Sequence, residues 1–134
     1  MTGPVVDPRP VVDAIEIAIT EGGVLFGDGK KPKDVGNKPY VVGFFDAGTV
    51  TDKTMRSRDG WSIVASFQCA GLSPDATRLA VWRVRQAVLG LRGWTIQGRE
   101  VGMPVHLGGP PMDKDDDADP PLFIQIDEWR IRLS

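Results

Sequence analysis

Few side chains in this 134-residue chain are suited to chemistry: one histidine, His106, one cysteine, Cys69, and the aspartates Asp113, Asp115, Asp116, Asp117 and Asp119. A single His and a single Cys exclude a zinc site built from several such ligands, and an internal disulfide. Nucleophilic catalysis needs a base held beside a Ser or Cys and oriented by a third group. Cys69 falls on the apolar parity of a strand pattern, which makes it a small core residue. His106 has no second His or Cys near it in sequence. The aspartates invite a calcium reading, but an EF-hand loop needs Gly at its sixth position and Glu at its twelfth. Counted from Asp113, those places hold Ala118 and Ile124, so the run reads as a solvated acidic loop. Gly27-Asp28-Gly29-Lys30-Lys31 is followed by Pro32, not by a helix, and so lacks the context of a phosphate loop. The sequence therefore implies no catalytic set, metal or cofactor.

The elements that must position these residues are legible locally. Asp7 and Pro8 open a helix in which Val12, Ile15 and Ile19 recur at helical spacing, and Gly22-Gly23 stops it. Val24 to Phe26 and Pro39 to Phe45 read as strands. In the strand over 61–69, Trp61, Ile63, Ala65, Phe67 and Cys69 alternate with mostly polar residues. Strands 39–45 and 61–69 are expected to pair antiparallel. Residues 46–60 then form a protruding hairpin arm, longer than folding alone requires. Ser73 caps a main helix expected to run from Pro74 to Arg92, with Gly93 beyond it. Trp94 to Gln97 and Val101 to Leu107 are short strand candidates, and 108–121 is an acidic loop. The last strand, Leu122 to Leu133, changes its apolar parity midway, which predicts a bulge at Asp127-Glu128. The fold class is α+β: one domain over 1–134, a mostly antiparallel or mixed sheet, two helices on one face and the arm.

Composition bounds the function. The chain has 16 Lys plus Arg against 18 Asp plus Glu, a formal net charge of −2, which gives no general drive toward nucleic acid. No apolar run approaches the roughly 20 residues of a membrane span, and the first residues lack the pattern of a signal peptide. The expectation is a soluble, cytoplasmically made chain. Charge is uneven, however. Residues 61–107 hold five basic and two acidic side chains, and residues 108–134 hold three and seven.

The main helix carries more apolar surface than one core needs. Ala80, Val81, Val84, Ala87, Val88 and Leu91 form its core stripe. Leu79, Trp82 and Leu89 fall roughly opposite, and Arg78, Arg85 and Arg92 lie to one side. A Trp-containing stripe away from the core marks an interface, unless another part of the chain covers it. The arginines, with Arg83, could meet DNA phosphates, face solvent, or meet the acidic loop of another subunit.

The order of elements resembles the tail-terminator (tail-completion or minor tail) proteins of long-tailed bacteriophages. The likeness rests on Lys38-Pro39-Tyr40-Val41-Val42 after a short helix and a Gly-Asp-Gly turn. It continues in the arm, and in a long helix over Ala76 to Leu89 with Val84-Arg85 at its centre. It covers roughly residues 8–107 and the last strand. The resemblance implies a structural virion protein, not an enzyme, without cofactor. It would form a ring, usually of six copies, that caps the tail tube, stops its growth and joins it to the head-side connector or stopper. The chain would be made in the host cytoplasm and act at the head-tail junction. DNA would pass through without sequence-specific binding, and no membrane is involved. On this reading the subunit interface draws on Arg78, Leu79, Trp82, Arg85 and Leu89, and on Thr51, Met55, Arg56 and Arg58 of the arm. The acidic loop, longer and more charged than in the family, lines the lumen or faces a partner through Asp113, Asp115, Asp116, Asp117 and Asp119. Alternatives are another phage neck protein (a head-tail stopper or adaptor), a small ligand-binding domain using His106 and the acidic loop, or a DNA-binding module.

Overall fold

Asp7 and Ser73 start the two helices in the computed structural model, which describes residues 6–50 and 60–134. Helix α1 (Pro8–Glu21) begins where the Asp7 carboxylate accepts the backbone N–H of Arg9, and it ends at Gly22. Helix α2 (Pro74–Leu89) begins where the Ser73 hydroxyl accepts the N–H of Ala76. It stops at Leu89, short of the expected Arg92, because Gly90 caps it and the chain turns over 90–93, with Gly93 at φ 88°. Leu91 is still buried, carried into the core by that turn.

The strands are β1 (Leu25–Asp28), β2 (Tyr40–Phe45), β3 (Thr49–Val50), β4 (Trp61–Gly71), β5 (Thr95–Ile96), β6 (Arg99–Glu100), β7 (Val105–Gly108), β8 (Asp113–Asp115) and β9 (Leu122–Leu133). One mixed sheet runs β1-β2-β4-β9-β7, with β3 beside β4 and β8 beside β9. Only β1 and β2 pair in parallel; the other pairs are antiparallel, including the expected β2–β4 pair. Both helices lie on one face. There Val11, Ile15 and Ile19 of α1 and Ala80, Val84 and Val88 of α2 bury Val41, Trp61, Ile63, Phe67, Trp129, Ile131 and Leu133. Each Val, Leu, Ile or Phe among them contributes roughly 1.5–3 kcal/mol by leaving water.

The expected arm is anchored at its base. Asp46 accepts the N–H groups of Gly48 and Val64, and β3 then pairs with β4 one residue out of the β2 register. Residues 51–59, and so Thr51, Met55, Arg56 and Arg58, lie outside the described residues. Two further expectations hold in part. Residues 94–107 give a small β5–β6 hairpin, turned by Gln97 and Gly98 at positive φ, and then the short β7. The acidic stretch 108–121 contains β8, which folds back on β9 as a hairpin.

The predicted bulge at Asp127-Glu128 is absent. β9 pairs with β4 residue for residue from Gly71↔Phe123 to Trp61↔Leu133. Its parity changes because the two halves of a regular strand bury opposite faces. Trp129, Ile131 and Leu133 point at the helices. Ile124 points away from them, into a second small cluster with Val35, Tyr40, Val42 and Ala70. The bulge lies on the neighbouring β7, between His106 and Gly108.

Thr77 ties α2 to this sheet. It is fully buried, and its hydroxyl lies 2.7 Å from the carbonyl of Phe123 and 3.2 Å from that of Ser73. Thr77→Val keeps the shape and removes the hydrogen bond to the Phe123 carbonyl. It should cost about 1–2 kcal/mol in urea unfolding.

Candidate functional site

The outer flank of α2 is built from the residues that its core stripe leaves over. Thr77, Ala80, Val81, Val84 and Val88 are buried against the sheet. Leu79, Trp82 and Leu89 remain 41%, 56% and 45% exposed. Among the described residues, none covers the second apolar stripe. Beside Trp82 runs a groove of about 410 Å³, lined by Arg78, Val81, Trp82, Arg85, Met112 and Gln125.

The four arginines of this region separate into different roles. Arg83 reaches the carbonyl of Gly23, at the end of α1, so that side of α2 faces α1. Arg78 pairs with Asp75 at 2.9 Å, an exposed i,i+3 pair of small energetic weight. Arg92 is exposed beyond the helix end. Arg85 turns the other way, toward β9.

Arg85 is the counter-ion of Asp127, a residue the sequence pattern hid inside a supposed bulge. Asp127 is 1% exposed. Its carboxylate accepts two bonds from Arg85, Nε at 3.0 Å and Nη2 at 2.9 Å. Trp129 Nε1 donates at 3.0 Å, and His106 Nε2 lies 2.7 Å away. Burial alone pushes the Asp127 carboxyl up. The hydrogen bonds from Arg85, His106 and Trp129 more than offset this and hold it below its ordinary value. The same contact raises Arg85. The signal for this site was present: an acid at the parity of Trp129, Ile131 and Leu133 sits on the core face and must find a cation.

His106 is thus brought to a carboxylate, though not to the acidic loop. The dyad lacks, among the described residues, the third member that acyl transfer requires. Among the described residues no hydroxyl or thiol hydrogen-bonds to His106, and its ring packs 4.7 Å from that of Trp129. Cys69 is buried as expected. Burial, with the nearby Asp127 charge, pushes its thiol up to about 12, so it is a poor nucleophile at neutral pH. The arrangement of Arg85, His106, Asp127 and Trp129 fastens α2 and β7 to β9.

The acidic residues sit at the opposite end of β9. Asp113 and Asp115 belong to β8, and Asp116, Asp117 and Asp119 lie in the turn that follows. Lys114 pairs with Asp116 at 3.2 Å, and Asp115 accepts the N–H of Asp117. Ala118, Asp119 and Pro120 share a cleft with Lys31, Lys38 and Tyr40, so the polar loop over 30–38 lies beside the acidic turn. Burial, together with Asp115, raises the Tyr40 phenol. Among the described residues no three His, Cys, Asp or Glu side chains gather as a metal ion would need, and no helix is long and apolar enough to cross a membrane. The sequence matches no protein-family model and no curated protein.

Proposed function

We propose that this chain is a structural subunit that assembles with copies of itself into a ring, and that it acts as a tail-terminator-like protein at the end of a phage tail tube. The observation that carries the self-assembly is the uncovered Leu79–Trp82–Leu89 stripe on α2. A helix that buries one face in its own core and leaves Trp and two Leu in water has the composition of an interface centre. Its position supports a head-to-tail contact. The sheet order places α1 and β1 at one side and α2, β9 and β7 at the other, so the two flanks of the molecule differ. Contacts between unlike flanks are heterologous, and they close into a ring when the rotation between copies allows. The resemblance in element order and length supports the tail assignment, with the tube protein and the head-side connector as the partners it implies.

Light scattering on a sizing column, with negative-stain images of the same peak, tests the assembly. The expected result is a ring near six copies. Incubation with purified tail tubes tests the placement: the protein should cap tube ends and stop further polymerisation. Rings that neither bind nor arrest tubes would move the protein to another neck position, a stopper or an adaptor.

A further inference from the structure

The two helices of the helical layer carry opposite charge on the surfaces they leave to solvent. From Pro10 to Glu21, α1 has the acids Asp13, Glu16 and Glu21 and no basic residue; its one base, Arg9 in the first turn, is paired with Asp7. Asp13 and Glu21 are exposed, and Ile17, between them, is 50% exposed. The stretch from Pro74 to Arg92 has Asp75 against Arg78, Arg83, Arg85 and Arg92. Its apolar stripe borders the groove beside Trp82.

Direction can be read from the contacts. Arg83 reaches back to α1, whereas Arg85 reaches Asp127 on β9, so Arg78, Trp82 and Arg85 lie on the flank turned away from α1. The acidic stripe and the basic stripe are therefore complementary, yet they are not placed to satisfy each other within one copy. The helices also match in length, 14 and 16 residues, about 21 and 24 Å.

We infer that the occupant of the α2 flank is helix α1 of the next copy: Ile17 enters the groove beside Trp82, and the acids of α1 meet Arg78 and Arg92. This rests on the self-assembly proposed above and names its contact. Arg85 takes no part, being committed to its own buried carboxylate. Repeated around a ring, the contact continues the helical layer as α1-α2 followed by the next α1-α2. Opposite charge then sets the order of flanks and disfavours α2 against α2.

Two measurements test it. In the first, Gln86→Cys and Thr20→Cys are made singly, both at exposed positions that spare Trp82 and Ile17. The native Cys69 does not compete, being buried. An equimolar mixture treated with a short bis-maleimide should give a cross-linked pair containing one of each variant. Self-linking of Gln86→Cys alone would mean a two-fold α2–α2 contact and would overturn the inference. In the second, Asp13→Lys combined with Glu21→Lys should lower the mass of the assembly toward that of one chain. Mixing that variant with Arg78→Glu/Arg92→Glu should restore hetero-association. An assembled wild type whose mass is unmoved by the α1 reversal sinks this contact and leaves the ring standing. A wild type that stays a monomer at all concentrations sinks the self-assembly reading and this inference together.

Discussion

Arg85→Ala should cost about 3–5 kcal/mol of folding stability, because it strands a carboxylate that is 1% exposed. Urea unfolding followed by circular dichroism reads this directly. His106 and Trp129 would remain as partners, but neither replaces a bidentate guanidinium. Asp127→Asn should be milder, near the lower end of that range, since Arg85 is about half exposed and can be hydrated. Arg85→Lys should fall between wild type and Arg85→Ala, keeping the charge and losing the fork. The pH dependence follows from the lowered Asp127 pKa. Below the ordinary carboxylate pKa the unfolded chain binds the proton first, so acid favours unfolding. The stabilisation from this group is complete above about pH 5 and is lost as pH falls through the folded value. Asp127→Asn should flatten that part of the acid limb. An Arg85→Ala protein as stable as wild type would show that the Arg85–Asp127 pair contributes nothing. It also follows that charge reversal at Arg85 is a poor probe of assembly, since it acts on the fold first.

Trp82→Ala is the complementary case, with a large effect on assembly and little on folding. The side chain is 56% exposed, and its removal should leave urea stability within about 0.5 kcal/mol of wild type. A central interface Trp is worth 2 kcal/mol or more, so self-association should weaken by about 30-fold or greater. Light scattering over a dilution series measures this. If Trp82→Ala assembles as tightly as wild type, the α2 flank is not the subunit contact. If it unfolds, the stripe belongs to the core after all. If both results hold, the two variants separate the roles of neighbouring α2 residues, Arg85 within the copy and Trp82 between copies.

The local features of the sequence were sufficient for most elements. Asp7 and Ser73 cap the helices, the alternation of Trp61 to Cys69 makes a half-buried strand, and Leu79, Trp82 and Leu89 stand apart from the core stripe. Caps, periodicity and turn residues act over a few positions, so they can be read without the fold. Helix α2 ends three residues before the expected Arg92: Leu91 continues the apolar pattern past Gly90, and a turn buries it as well as a helix would.

What only the tertiary structure decided is which face each half of β9 buries, and what answers Asp127. A change of apolar parity has two physical causes, a bulge or a switch of buried face, and both leave the same pattern in one strand. The distinction comes from β2 and the 30–38 loop, where Tyr40, Val42 and Val35 supply a second cluster for Ile124. The Arg85–Asp127 bond spans 42 positions, and no local rule couples them. The sequence by itself determined an α+β fold with a second apolar stripe on its main helix. Tertiary packing determined that Arg85, alone of the helix arginines, is committed to Asp127, because a buried carboxylate must be neutralised.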